Sequence, residues 1–453
     1  MSSPPLSLHS LIFPSASTSI STTLTSLKRQ NLSITNRLHS VRSDASFVLT
    51  IADHFNLPLI TNERCGSWYV PPERKVGSAY FKSTDGHAGQ WAFSLRRLNL
   101  QVLDVVGTGK GCIIVDSTRR GKSMPDALSK TAPIWIAVLN RLLFPEHPES
   151  HRLRTPEDVV SASEHGQIDA RLDGFVRDAR GLDLHLLALR AKLRRPMRAV
   201  WITPETVLDG EISTDDDHAC VVLCTASSRA SESSKLGAAY VQGAADDSEA
   251  WACGLDAVTF WANAEALLDT CEDALPEIIV SLIEKSTTSS RLPIRISPAH
   301  ALAVGDNASL IDSKSRLQDY DVIVCLAMTL PPVIRADRRA LSPRVIHLPC
   351  GLGKLGSRDL RLHLAKLERL PQFETPARHV LVTCDTGRDL SVGAALAILC
   401  MYFDEHGSLT LPLRQPVPSK VEIKKRLSWI MASIPDVSPS RATLQSVNAH
   451  LMG

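Results

Sequence analysis

His379-Val380-Leu381-Val382-Thr383-Cys384-Asp385-Thr386-Gly387-Arg388-Asp389-Leu390-Ser391 runs directly into the apolar stretch Val392 to Phe403. The β-branched start predicts a strand, the polar middle with its single glycine a tight loop, and the Pro-free apolar stretch a long helix. In that arrangement the loop amides and the positive end of the helix macrodipole converge on one point, which suits an anion. Cys384, Asp385, Thr386, Gly387, Arg388, Asp389 and Ser391 are therefore the candidate phosphate-binding residues of the C-terminal half. The plainer reading is a buried cysteine at the end of a core strand, followed by a glycine turn.

Size and composition set the frame around this stretch. A chain of 453 residues exceeds one ordinary core, so about two or three domains are expected. A hydrophobic fraction of 44% is that of a folded globular protein, and a formal charge of +2 gives no global attraction to polyanions. Any nucleic-acid partner must be met by local patches. The cysteines at 65, 112, 220, 224, 253, 271, 325, 350, 384 and 400 form no Cys-x-x-Cys pair. That spacing argues for a reducing compartment, with neither a disulfide framework nor a zinc site. No run approaches the ~18 consecutive apolar residues of a membrane span. Residues 1–27 read as a Ser/Thr-rich extension without acidic residues, arginines or a sustained apolar core, a frayed extension or the front of a helix, with a transit peptide as the alternative. A cytoplasmic protein with no membrane contact and no obligate protein partner is the expectation.

Leu24 to Phe55 has helical spacing, and Asn62 to Pro72 is an aromatic loop closed by a diproline. Tyr80 to His87 reads as a short strand and polar turn, with Trp91 to Ser94 and Leu98 to Val106 as further strands. The segment Gly111 to Ser123 is richer. An apolar strand ends in Asp116, then Ser117, Thr118, Arg119, Arg120, Gly121 and Lys122, with Ser123 capping a helix that runs to about Phe144. Gly121-Lys122-Ser123 is not a Walker A loop, because the required earlier glycine is Asp116. A polar cluster at the carboxyl end of a buried strand is a ligand position in open α/β sheets. Asp116 suits a hydroxyl or a metal, and Arg119, Arg120 and Lys122 suit phosphates; a solvated basic turn is the alternative.

Ser161 and Glu164 read as a capping box. The helical stretch that follows ends in Arg190, Lys192, Arg194 and Arg195, a patch suited to RNA phosphates unless it is only a solvated face. Strands are expected near Ala199 to Thr203 and Ala219 to Thr225. Asp246 and Asp247, just after a glycine turn, suit Mg²⁺ shared with substrate phosphates, or simply form an acidic turn. Ser286 to Ser290 reads as a linker. The C-terminal unit shows strands at Asp321 to Leu326 and Arg344 to Leu348 and helices at Lys354 to Leu370, Val421 to Ile434 and beyond Ser438. Lys424 and Lys425 belong to a basic group on the penultimate helix. The fold class is α/β: a mixed α/β N-terminal domain over 28–290 and an α/β domain over 300–453 carrying the Cys-x-x-Gly loop.

These blocks also carry a resemblance. Asn62 to Pro72, Ala79 to Leu100, Gly111 to Ser129, Ala239 to Ala252, Cys384 to Cys400 and Pro439 to Val447 resemble the initiator-tRNA 2′-O-ribosyl phosphate transferases of fungi and plants. The C-terminal half is similar to dual-specificity phosphatases. Cys384, Gly387 and Ser391 match their cysteine, loop glycine and closing serine, but Leu390 stands where the motif places its arginine. Without that guanidinium the loop is expected to hold a phosphate rather than cleave one.

The resemblance implies transfer of a 5-phosphoribosyl group from 5-phosphoribosyl-1-diphosphate to the ribose 2′-oxygen of adenosine 64 of initiator methionine tRNA, which excludes that tRNA from elongation. On this reading the Cys384 loop holds the donor's 5-phosphate, while Arg119, Arg120 and Lys122 meet the diphosphate with Mg²⁺ on Asp246 or Asp247. Asp116, Asp85 or His87 takes the hydroxyl proton. Two other readings stay open: a divergent cysteine phosphatase that borrows Arg388, and a non-catalytic phosphate- or RNA-binding pseudo-phosphatase module.

Overall fold

The computed structural model describes residues 32–84, 89–119, 121–207, 217–229, 239–286, 292–310, 319–337, 344–369, 379–410, 417–434, 437 and 439–453. The extension over 1–27 and the site candidates Asp85, His87 and Arg120 lie outside the described residues.

The N-terminal half is built on strands β1 (Leu59–Asn62), β2 (Lys75–Ala79), β3 (Gly111–Asp116), β4 (Met197–Ile202) and β5 (Ala219–Thr225). They form one sheet in the order β2-β1-β3-β5-β4, and every described pairing is parallel rather than mixed. Both faces of β3 are covered. Ile113 and Val115 pack with Leu38, Val41 and Ile51 of helix α1 (Ile34–Phe55), while Cys112 and Ile114 join the opposite core. That second core holds Leu103 and Val106 of α2 (Gln101–Gly109) and Leu139 of α3 (Ala132–Leu143). A strand buried on both faces reads as a continuous apolar run, as Cys112 to Val115 does.

The second half has β6 (Ile294–Arg295), β7 (Leu302–Asp306), β8 (Val322–Leu326), β9 (Arg344–Leu348) and β10 (Val380–Cys384) in the order β6-β7-β10-β8-β9, with β6 alone antiparallel. Helix α4 (Leu390–Tyr402) follows β10 and is buried almost all round. A helix apolar on every side belongs inside a fold. It packs against β7 and β10 and under α5 (Lys420–Ser433) and α6 (Arg441–Met452). The opening strand, loop and helix thus form the axis of this domain.

Several local expectations change. Leu98 to Val106 is not a strand: Val102, Leu103 and Val106 are buried at helical spacing, and Asn99 turns at φ 52 just before α2. Gly107 lets the helix approach closely, since a Cβ there would lie 1.8 Å from the Lys192 carbonyl oxygen. Trp91 to Ser94 and Tyr80–Phe81 are likewise irregular. Ser123 is not the cap of the next helix, which begins at Asp126 and passes through a π-helical turn over Ala127–Thr131. Ser161 does cap its helix by accepting from the Glu164 amide, but the Glu164 carboxylate turns to Lys130 and Trp91.

Buried Asp44 on α1 accepts from the Tyr240 hydroxyl at 2.9 Å, and its other oxygen has no hydrogen-bond partner among the described residues. Burial pushes its pKa well above the ordinary carboxylate value. Its contribution to stability is therefore complete at low pH and falls as pH rises through the folded-state pKa. Asp44→Asn is expected to remove that fall. The variant should gain on the wild-type chain as pH rises toward neutral. Urea melts at several pH values check this, and a stability difference between the two chains that does not shift toward the variant as pH rises would contradict it.

Candidate active site

In the first sheet the strand order reverses between β1 and β3, so the crevice outside their carboxyl ends is the place for a ligand. A tight polar cluster occupies it. Asp116, fully buried at the end of β3, accepts from Asn62 Nδ2 at 2.8 Å, from the Cys65 thiol at 3.0 Å and from the Ser117 amide at 2.8 Å. Arg64 completes the set, 3.5 Å from the same carboxylate, and donates to the Ser117 carbonyl at 2.6 Å. On its other side Arg64 pairs with Asp246 at 3.1 Å. Burial works against the Arg64 charge, but the carboxylates of Asp116 and Asp246 outweigh it and hold its pKa above the ordinary value. Burial and the Asp116 charge push Cys65 well up, so it remains a thiol and a donor.

This geometry changes the role of Asp116. Both its oxygens are occupied and none of it reaches solvent, so it cannot take a proton from a substrate hydroxyl. It is a positioning residue that fixes Arg64 and the start of the following loop. Asp246 is likewise committed to a guanidinium, with burial raising its pKa, and Asp247 is exposed on a left-handed residue at φ 51. Among the described residues no three metal-ligating side chains converge. A Mg²⁺ beside Asp246 and Asp247 would therefore draw its remaining ligands from substrate phosphates and water.

Thr118, Arg119, Gly121 and Lys122 lie on the loop beyond β3, with Arg119 exposed and Lys122 3.3 Å from Asp126. The segment around Gly243 clamps this loop. Gln242 Nε2 donates to the Lys122 carbonyl at 2.7 Å. Gly243 sits at φ 66, where a Cβ would fall 2.6 Å from the Thr118 carbonyl oxygen. The clamp is itself anchored by Arg37 on the Ala244 carbonyl at 2.9 Å and by the Tyr69 hydroxyl, which accepts from the Ala245 amide at 3.1 Å.

In the C-terminal domain the Cys384 thiol is buried and donates to Ser391 Oγ at 3.1 Å. Gly387 takes φ 65 against the backbone of Gly305. Two of the loop amides already have acceptors: Gly387 on the Cys384 carbonyl at 3.2 Å and Arg388 on Thr386 Oγ1 at 3.3 Å. Asp385 is held by Asn307 at 2.7 Å, and Asp389 accepts from the Ser440 amide at 2.8 Å. Leu390 is buried in the core beside Gly356. Arg388 is exposed.

A family model described as the Rit1 N-terminal domain matches residues 27–284, and one described as the Rit1 DUSP-like domain matches residues 344–451. The chain belongs to the Rit1 family. The tRNA A64-2′-O-ribosylphosphate transferase of Saccharomyces cerevisiae is 33% identical to it over 489 residues, covering 94% of this chain and 93% of that one. An uncharacterized protein of Schizosaccharomyces pombe is 37% identical over 439 residues, covering 92% of this chain and 94% of its own. Solved structures similar to part of the chain include human DUSP28, at 15% identity and TM-score 0.26 over 36% of this chain and 97% of that one. The Yvh1 phosphatase domain of Chaetomium thermophilum matches at 19% identity and TM-score 0.25, over 35% of this chain and 94% of that one.

In this Rit1 chain three of the six cations in the patches read from the sequence are paired with carboxylates. Arg190 is bonded to Glu146, Lys192 pairs with Asp104 at 2.9 Å, and Lys425 reaches across to Asp183 of the first domain at 3.1 Å. Arg194 and Arg195 close the helix before β4, and Lys424 is half-buried on α5. Sequence reading missed Arg64 and Asn62. The signal in the sequence was their place at and just beyond the end of a short apolar run, ahead of a diproline.

Among the described residues no helix is long and apolar enough to cross a membrane, and all ten cysteines are free.

Proposed function

We propose that the chain transfers a 5-phosphoribosyl group from 5-phosphoribosyl-1-diphosphate to the 2′-oxygen of adenosine 64 in initiator methionine tRNA, in the cytoplasm. The observation that carries this reading is the full-length likeness, through both domains, to the transferase named for that nucleotide. In the reaction the bond from C1 of the donor to diphosphate breaks and a bond from C1 to the 2′-oxygen forms. The hydroxyl proton goes to a base and diphosphate leaves. An oxocarbenium-like transition state asks for positioning and charge more than for a nucleophile.

Arg119, Arg120 and Lys122 are assigned to the diphosphate on the loop that Asp116, Arg64 and Gly243 fix in place. Asp85 or His87 is assigned the proton, since Asp116 is closed off. The Cys384–Ser391 loop is assigned the 5-phosphate, which would replace the internal acceptors of its amides. Mg²⁺ enters as a companion of the donor's phosphates, and no step is routed through it.

The test is incubation of the protein with unmodified initiator tRNA, Mg²⁺ and ribose-labelled donor, followed by nuclease mapping of the label. Label at adenosine 64, absent from elongator methionine tRNA, is the expected result; donor and tRNA binding without label would overturn the assignment. Cys384→Ser should keep transfer within roughly threefold of wild type, because no thiolate attacks. Hydrolysis of an aryl phosphate that disappears in Cys384→Ser would instead mark a phosphatase.

A further inference from the structure

A cavity of about 460 Å³ lies between the two domains, within the ~300–1,000 Å³ range of ligand sites. Its floor is apolar and comes from both sides: Phe81 and Trp135 from the first domain, Leu427 and Met431 of α5 and Leu444 of α6 from the second. Its rim carries Lys82, Arg96 and Arg97 from one domain and Arg441 from the other, and no acidic side chain is among its described lining residues. Lys82, Arg96 and Arg441 are exposed, and Arg97 lies over the Tyr80 ring at 3.2 Å.

The cavity also touches the supports of both loops. The Phe81 amide donates to Asn62 Oδ1 and its carbonyl accepts from Asn62 Nδ2, which also holds Asp116. Thr84 on the rim donates to Asp126 at 2.8 Å, the partner of Lys122. Arg441 follows Ser440, whose amide is bound by Asp389 of the Cys384 loop.

We infer that this cavity seats a segment of the RNA acceptor, with phosphodiesters on the cationic rim and a ribose or base against the apolar floor. Charge complementarity favours a polyanion, and the aromatic and aliphatic floor favours one that brings a flat or apolar part. A donor phosphate has two loops of its own and does not need the floor. The inference deepens the proposed transfer and rests on tRNA being the acceptor.

The test measures equilibrium binding of unmodified initiator tRNA to the full chain, without donor, from ~50 to ~200 mM salt. Arg96→Ala with Arg441→Ala should weaken binding by roughly tenfold at the higher salt and reduce the log–log salt slope by about 1–2. Both residues are exposed, so the unfolding transition should not move, and binding of ribose-labelled donor should match wild type. Unchanged tRNA affinity and slope would overturn the inference, as would loss of donor binding with tRNA binding intact. Because no turnover is read, absence of transfer would sink the proposed function without touching this result, and normal binding by the variant would sink only this inference.

Discussion

Arg64→Met is expected to lower the stability of the N-terminal domain by ~3–5 kcal/mol, the usual cost of removing one partner from a buried charge cluster. Arg64 stands between the fully buried Asp116 and the largely buried Asp246, and it also donates to the Ser117 carbonyl. Methionine fills similar volume but leaves two carboxylates facing each other across an apolar gap. Six of the seven tryptophans lie in this domain, so a fluorescence-detected urea melt reads it selectively. The deficit should shrink in acid. Burial already raises the Asp246 pKa, and losing Arg64 raises it further, so the variant binds a proton on folding that the wild-type chain binds less readily. Its relative stability is then best below that pKa and worsens as pH rises through it. Arg64→Met with Asp246→Asn should recover part of the loss, and Arg64→Lys, which keeps charge but not the planar fork, should fall between. A loss below ~1 kcal/mol, typical of an exposed pair, would mean the cluster is not held as described.

Why the sequence showed some of this and hid the rest has physical causes. The stretch from His379 to Phe403 was legible because strand, loop and helix are consecutive and each has its own period. Its neighbour Leu302–Asp306 was not, because Ala-Val-Gly-Asp gives no alternation and the strand is defined by its pairing with β10 and β6. Leu98 to Val106 misled because a short apolar run fits both periods, and Gly107 decides for the helix only through its approach to Lys192. Asp116 and Asp246 stood out as residue types, but their partner Arg64 is 52 positions from Asp116 and meets it only because β1 lies beside β3. Charge runs misled for the same reason. Arg190, Lys192 and Lys425 look free in sequence and find Glu146, Asp104 and Asp183 in space, while Arg96 and Arg441, far apart in the chain, share one cavity.

Gly243→Val is expected to reduce phosphoribosyl transfer by ~10²-fold, the scale on which a displacement of about 1 Å acts on a positioned reaction. Two constraints meet at this residue. Its φ of 66 is a left-handed conformation that a β-branched residue resists, and any Cβ would press on the Thr118 carbonyl oxygen at 2.6 Å and the Arg119 Cα at 2.9 Å. Those contacts are backbone, so neither side can turn away, and relief requires the loop carrying Arg119 and Lys122 to shift. Gly121→Ala provides the control. It sits at φ 94 on the same loop but faces open space, so it should cost only the ~1–2 kcal/mol of local backbone strain and move nothing across the clamp. If the loop holds the diphosphate, Gly243→Val should weaken donor binding and slow transfer while the Gly121→Ala chain stays within a few-fold of wild type. Equal effects from the two substitutions would show that strain, not displacement, sets the rate, and a fully active Gly243→Val chain would remove the loop beyond β3 from the donor site.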